Sequence, residues 1–281
     1  MTDLAAAADV TPPAEAPRLG RADLHIHSAA SDGVAGIEEI LRHVQDATDL
    51  DLIAITDHER VDAALAAQDM AIKCGYRFEV VVGEEITTRG GHLLGLFLTR
   101  PVPPLHALRW SIAAIHEQGG VAIPAHPLAP IPMCASARSL RALIQDADPA
   151  VHPDGLEVFN STTAGRRGHR RAVAFAVEHH LAALGGSDAH RPEHIGQAVT
   201  RFEGRTAAEF RRAVEARTTT WEGSYYPPMA QLGMFGRQVR KYARDVRDEV
   251  RGKVLRDGTG RDLGYPGGRS RPAHYEGDVQ P

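Results

Sequence analysis

Ala22-Asp23-Leu24-His25-Ile26-His27-Ser28 is the stretch on which the reading of this chain turns. It is a short apolar run that closes on two histidines two positions apart. On a strand that spacing puts both imidazoles on one face, so both can reach one cation. Alone, His-x-His also fits an ordinary polar strand end. Here five further clusters recur beside short apolar runs: Thr56-Asp57-His58, Gly83-Glu84-Glu85, Gly91-His92, Ala125-His126-Pro127 and Ser187-Asp188-Ala189-His190. Imidazoles and carboxylates at the ends of many strands converge when those strands form an α/β barrel with its site at one rim.

Outward from this stretch, residues 21–221 alternate between strand-like and helical patterns. Strands are expected at Ala22–His27, Leu52–Thr56, Phe78–Val82, His92–Leu98, Val121–Pro124, Leu156–Phe159 and Leu181–Leu184. Helices are expected at Ile37–Thr48, Val61–Lys73 with Gly75 as its stop, Leu105–Glu117, Ser139–Asp146, Arg170–His180 and Ala207–Ala216. Thr206 and Glu209 form a capping box for the last of these. The alternation implies a parallel sheet. Its repetition favours a barrel over a doubly wound open sheet, which would gather ligands from fewer strands.

Composition fits a soluble, cytoplasmic enzyme. Hydrophobic residues make up 43% and charged residues 24% of the 281, ordinary usage that leaves material for a large core. A formal net charge of -4 gives no global attraction for nucleic acid or anionic membranes, so any hold on phosphate must be local. Cys74 and Cys134 make no disulfide framework and suit a reducing compartment. No apolar run approaches the roughly 20 residues that span a bilayer. Residues 1–20 read as a disordered leader, 21–224 as the barrel, 225–255 as an amphipathic basic helix and 256–281 as a disordered tail. Within the helical segment Leu232, Phe235, Val239, Tyr242, Val246 and Val250 form an apolar stripe beside seven basic residues between Arg237 and Lys253.

On these motifs the chain resembles the PHP (polymerase and histidinol phosphatase) superfamily over residues 21–221. The resemblance implies a distorted (β/α)7 TIM-like barrel holding two to three divalent metal ions at the C-terminal rim of its strands. It assigns His25, His27, Glu85 and Asp188 to one metal, and Glu85, as a bridge, with His92 and His126 to a second. Asp32, His58 and His190 fall to a third. Asp57 becomes a candidate catalytic position that orients a histidine. Arg191, directly after His190, becomes a candidate phosphate contact.

The ligand set is all nitrogen and oxygen, which suits Mn, Zn or Fe. Such ions lower the pKa of bound water to about 7 and stabilise an in-line displacement at phosphorus. The expected activity is therefore a metal-dependent phosphoesterase using metal-activated hydroxide. Its substrates would be small phosphate esters, nucleotides or short nucleic-acid ends. Relatives that hydrolyse nucleotide phosphates carry an inserted subdomain between the strand histidine and the Ala-His-Pro motif; here one helix and one strand join them, which implies a more open site. A metallohydrolase of C–N or C–O bonds and a metal-stabilised binding module using the basic helix are the competing readings. Arg166 and Arg167 are expected in a rim loop, His169 and His194 near the rim as helix-face or loop histidines, and Cys134 as a free loop or buried thiol rather than a nucleophile. The sequence does not specify the oligomeric state.

Overall fold

A computed structural model describes residues 19–227. Most of the expected leader, the basic helix beyond Pro227 and the tail lie outside the described residues. The elements run β1 (Leu19–Ile26), α1 (Ile37–Ala47), β2 (Leu52–Ile55), α2 (Asp62–Cys74), β3 (Glu79–Thr88), β4 (Gly91–Leu96), α3 (Leu108–His116) and β5 (Val121–Pro124). Then follow α4 (Ala137–Ile144), β6 (Gly155–Asn160), α5 (Thr163–Glu178), β7 (Ala182–Gly186), β8 (Ala198–Glu203), α6 (Ala207–Ala216) and β9 (Thr220–Gly223).

The fold is α/β, but its main sheet is open. Seven strands run in the order β5-β4-β3-β2-β1-β8-β9, and β6 pairs separately with β7. Individual bonds rather than ladders tie this pair to its neighbours: Asp154 N–H donates to Ala122 O at 3.0 Å, and the Thr200 hydroxyl bridges Gly185 N and O at 3.0 and 2.9 Å. The expected wholly parallel sheet is corrected as well. β1–β2, β2–β3 and β6–β7 are parallel, whereas β3–β4, β4–β5, β1–β8 and β8–β9 are antiparallel.

Two local features account for the difference. β3 does not stop at Val82. The Glu85 N–H bonds Thr56 and Asp57 carbonyls at 3.2 and 3.3 Å, so β2 draws the polar Gly83-Glu84-Glu85 into the strand. A two-residue turn, Arg89-Gly90, then leads into Gly91 at φ 123°, a backbone conformation suited to glycine. β8 and β9, for which the sequence pattern predicts no strands, add an antiparallel edge.

Burial follows the strand pleat. Ile53, Ile55, Val80 and Val82 pack in one apolar cluster with Ile40 of α1, Ala64 of α2 and Ile112 of α3. Leu52, Ala54 and Val81 join a second cluster with Phe202 and Phe210. Both faces of the central strands are thus buried, the burial pattern of a parallel sheet covered on two sides. The Thr206–Glu209 capping box forms as expected, and Gly75 caps α2.

α5 begins seven residues before its expected start, at Thr163 rather than Arg170. The Thr162 hydroxyl caps it by accepting from Gly165 N at 3.4 Å. Gly165 and Gly168 resemble loop residues in the sequence, yet each permits close packing. A Cβ at Gly165 would lie 2.3 Å from Asn160 O, and one at Gly168 would lie 2.2 Å from Pro127 O. Arg166 and Arg167 therefore stand on a helix, not in a loop.

Candidate metal centre

β1 brings His25 and His27 to the site through a β-bulge. Asp23 to Ile26 on β1 spans three steps, against the two from Ile53 to Ile55 on β2. A bulge bends its strand and re-aims its side chains. β6 has a second one between Glu157 and Phe159. Asp32 comes from the loop after β1, His58 from the segment after β2, where it bridges Glu85 of β3, and Asp188 and His190 from the loop after β7. Glu85 lies inside β3. His92 stands near the start of β4, because an antiparallel strand begins at the rim where its parallel neighbours end.

All nine side chains meet there. Their ligand atoms form four overlapping groups, each within 4.8 Å: His25, His27 and Asp188; His27, His58 and Glu85; His27, Asp32 and His190; Glu85, His92 and His126. Glu85 is the hub. One of its oxygens lies 3.3, 3.2 and 3.5 Å from His25, His27 and His58. The other lies 2.8 and 3.1 Å from His92 and His126. His27 is more central than the resemblance implied, since it appears in three of the four groups. His58 gathers with His27 and Glu85, while remaining 3.8 Å from Asp32.

Asp188 and His126 adopt positive φ, 55° and 30°. Such conformations cost about 1–3 kcal/mol and cluster at functional sites.

The charges respond to one another. Burial pushes the His25 imidazole down, but Asp188, Glu157 and Glu85 hold it well above the ordinary range. Burial likewise opposes protonation of His27, and Asp32, Asp188 and Glu85 overcome it, raising it to about 10. Burial raises the Glu85 and Asp188 carboxyls, but the surrounding histidines hold both well below the usual carboxylate range. His58 goes the other way: burial lowers it to about 3.

The donor set fits divalent cations. His25 Nε2 and both ring nitrogens of His27 and His92 are buried and have no hydrogen-bond partner, although carboxylate oxygens stand close by. Orphaned buried polar atoms cost about 1–3 kcal/mol each. Cations among these nitrogens and carboxylates would give them partners.

The groups behind the cluster are not foreseen from sequence. Glu157, 2% exposed, accepts from His25 Nδ1 at 2.9 Å, His126 N at 2.6 Å and the Asn160 amide at 3.0 Å. The Asn160 amide also lies 3.3 Å from Asp188 Oδ2. Asp23 accepts from the Ser187 amide and hydroxyl and from Gly196 N. A glutamate within the apolar run Leu156–Phe159 is the signal that points to the first of them.

The remaining candidate residues stand as follows. Asp57 holds serines rather than a histidine: it accepts from Ser28 N at 2.8 Å, Ser28 Oγ at 2.6 Å and Ser31 Oγ. It thereby anchors the loop that carries Asp32. The exposed Arg191 pairs with Glu193. Cys134 Sγ lies 3.6 Å from His126 Nδ1, against the ligand cluster. His169 bonds Val158 O at 2.8 Å and His194 stacks on Tyr226, both apart from the nine. Only α3 and β5 separate His92 from His126.

Comparison with known proteins agrees with this geometry. The PHP-associated family matches residues 166–219. An uncharacterized protein of Methanocaldococcus jannaschii is 35% identical over 152 residues, covering 50% of this chain and 82% of that protein. A 5′-3′ exoribonuclease of Haemophilus influenzae is 35% identical over 109 residues, covering 36% of this chain and 37% of the enzyme. A two-domain protein of Bacteroides vulgatus, described as containing a PHP-like metal-dependent phosphoesterase, shares the fold. Its TM-score is 0.60 at 21% identity, over 74% of this chain and 66% of that one. The chain belongs to the PHP superfamily. Among the described residues no helix is long and apolar enough to cross a membrane.

Proposed function

We propose that this protein is a metal-dependent phosphoric ester hydrolase holding two to three divalent ions, Mn, Zn or Fe, on His25, His27, Asp32, His58, Glu85, His92, His126, Asp188 and His190. The observation that carries this reading is the buried convergence of those side chains around Glu85, with ring nitrogens that have no other partner. Bound ions supply a water activated near neutral pH and neutralise the charge of a phosphoryl group.

The protein's own groups set the geometry. Glu157, an acceptor when ionised, accepts a hydrogen bond from His25 Nδ1 and leaves Nε2 facing Glu85 and Asp188. The Asp188 carbonyl accepts from His190 Nδ1 at 3.0 Å and leaves Nε2 facing Asp32. Partners of this kind fix tautomer and ring orientation. The Asp57–serine network holds the Asp32 loop. The exoribonuclease relative favours a phosphodiester or nucleotide substrate over other hydrolysable bonds.

The test is hydrolysis of p-nitrophenyl phosphate, its bis ester, histidinol phosphate and nucleoside bisphosphates with Mn, Zn or no added metal. Metal-dependent turnover of one or more of these is expected. Hydrolysis of C–N or C–O substrates alone would overturn the phosphoesterase assignment.

A further inference from the structure

A cavity of about 670 Å³ lies along α5 and is walled by Phe159, Arg166, Arg167, His169, Arg170, Arg171 and Tyr225, with no carboxylate in its lining. Its position follows from the packing of α5. Gly165 presses on Asn160, whose amide reaches Asp188, and Gly168 presses on Pro127, next to His126. The buried glycine face of the helix thus lies against Asn160 and Pro127, and the arginines stand on its exposed side, Arg166 in the first turn after β6.

The four arginines are exposed, and among the described residues none of them has an acidic partner. Most other arginines of the fold do: Arg21, Arg42, Arg60, Arg109, Arg141, Arg191, Arg201 and Arg205 each pair with a carboxylate. A concentration of unneutralised guanidinium groups on a chain of net charge -4 is a local anion attractor. Guanidinium also matches phosphate geometry bidentately.

The wall is aromatic too. Trp221 stacks on Phe159 with centroids 5.0 Å apart, Phe159 stacks on Tyr225 at 4.8 Å, and the Arg166 guanidinium lies over Tyr225 at 5.4 Å. Unpaired bases stack on such rings and on guanidinium planes. A sugar phosphate would use the charge but not the stack, and a duplex would keep its bases inside.

We propose that this cavity is a binding subsite for a single-stranded nucleic acid. Its arginines would hold phosphates flanking the one presented to the metal centre, and its ring stack would receive an unpaired base. This deepens the phosphoesterase reading and rests on it for the placement of the scissile phosphate.

The test uses the full-length protein as purified and a fluorescein-labelled hexadeoxythymidylate with hydrolysis-resistant phosphorothioate linkages, followed by fluorescence anisotropy. R166A/R170A is compared with R100A/R212A, which removes the same charge from exposed positions elsewhere. Thermal melting verifies that both variants fold. The expected result is at least tenfold weaker binding by R166A/R170A and near wild-type binding by the control. The dependence of log Kd on log salt should also flatten by about 0.7 for each phosphate that the variant no longer neutralises. An abasic hexamer should bind more weakly than the thymidylate. Equal weakening in both variants, or none in either, would overturn the subsite. Equal binding of the abasic strand or of inorganic polyphosphate would overturn its assignment to nucleic acid. Because binding is read without turnover, a protein that binds the strand but cleaves no ester would refute the phosphoesterase reading and leave the subsite standing.

Discussion

The candidate metal centre and the arginine cavity have opposite electrostatics. In the centre each charge has an internal answer. Five histidines surround Glu85, and Asp32 and Asp188 face three more imidazole nitrogens at 3.0–3.5 Å. In the cavity four arginines face solvent with no acidic wall. Burial explains the contrast. Ionised groups removed from water must be paired or bound to metal, whereas exposed guanidinium groups keep their hydration until a ligand displaces it. The buried cluster should therefore be sensitive to any change in its internal partners, and the cavity should be indifferent to such changes.

The strongest way to break this contrast is at Glu157. Glu157→Gln preserves shape but removes the charge that holds His25 and His126 N. Metal affinity should fall about 10- to 100-fold, as for other groups that orient metal ligands. Competition against a chromogenic chelator would measure it. Unchanged affinity would mean that His25 needs no orienting partner.

Protons offer a second test. Without metal, neighbouring carboxylates hold His25 and His27 above the ordinary histidine range, and Cys134 with Glu85 does the same for His126, so protons compete with cations for these imidazoles. Cations must displace the protons. Metal binding near pH 7 should release protons into a weakly buffered solution, and affinity should weaken as pH falls. Calorimetry in buffers of different ionisation enthalpy reads the number released; a value of zero would show that the histidines are neutral before metal arrives.

Next in size is the helix that joins the two regions. Gly168→Ala places a methyl 2.2 Å from Pro127 O. Overpacking of this kind destabilises by about 1–3 kcal/mol, and chemical denaturation would detect it. The smallest effect belongs to the cavity itself: R166A/R170A should change stability by no more than about 0.5 kcal/mol, since these are exposed positions. A large destabilisation would mean that the arginines serve the fold.

The side chains that gather in the candidate centre were far more legible in sequence than the frame that holds them. His25 and His27 announced themselves by spacing, because a strand's two-residue period is local; Asp188 and His190 share that spacing but stand in the loop after β7, with Asp188 at φ 55°. The antiparallel β4 was not local information: only the pairing of Glu85 with Thr56 and Asp57 extends β3 far enough to make the Arg89-Gly90 turn. Asp57 illustrates the limit from the other side. Its residue type and position suited a histidine partner, yet Ser28 and Ser31 fold back to claim it. Glu157 stayed hidden because a single carboxylate in an apolar strand acquires meaning only when His25, 132 positions away, is placed beside it. The N-terminal part of α5 read as a loop because glycine lowers helix propensity; close packing on Asn160 and Pro127 requires it there.

The most direct measurement compares wild type with His25→Ala/Asp188→Ala, by elemental analysis of bound metal and by phosphate-ester turnover on the same preparations. Divalent metal and metal-dependent turnover should both be present in the wild type. Both should fall together in the double variant, which removes two members of one ligand group while leaving Glu85, His92 and His126 in place. Full turnover in a variant that has lost its metal, or a wild-type protein that binds no divalent ion, would contradict the assignment of this cluster as the catalytic metal centre.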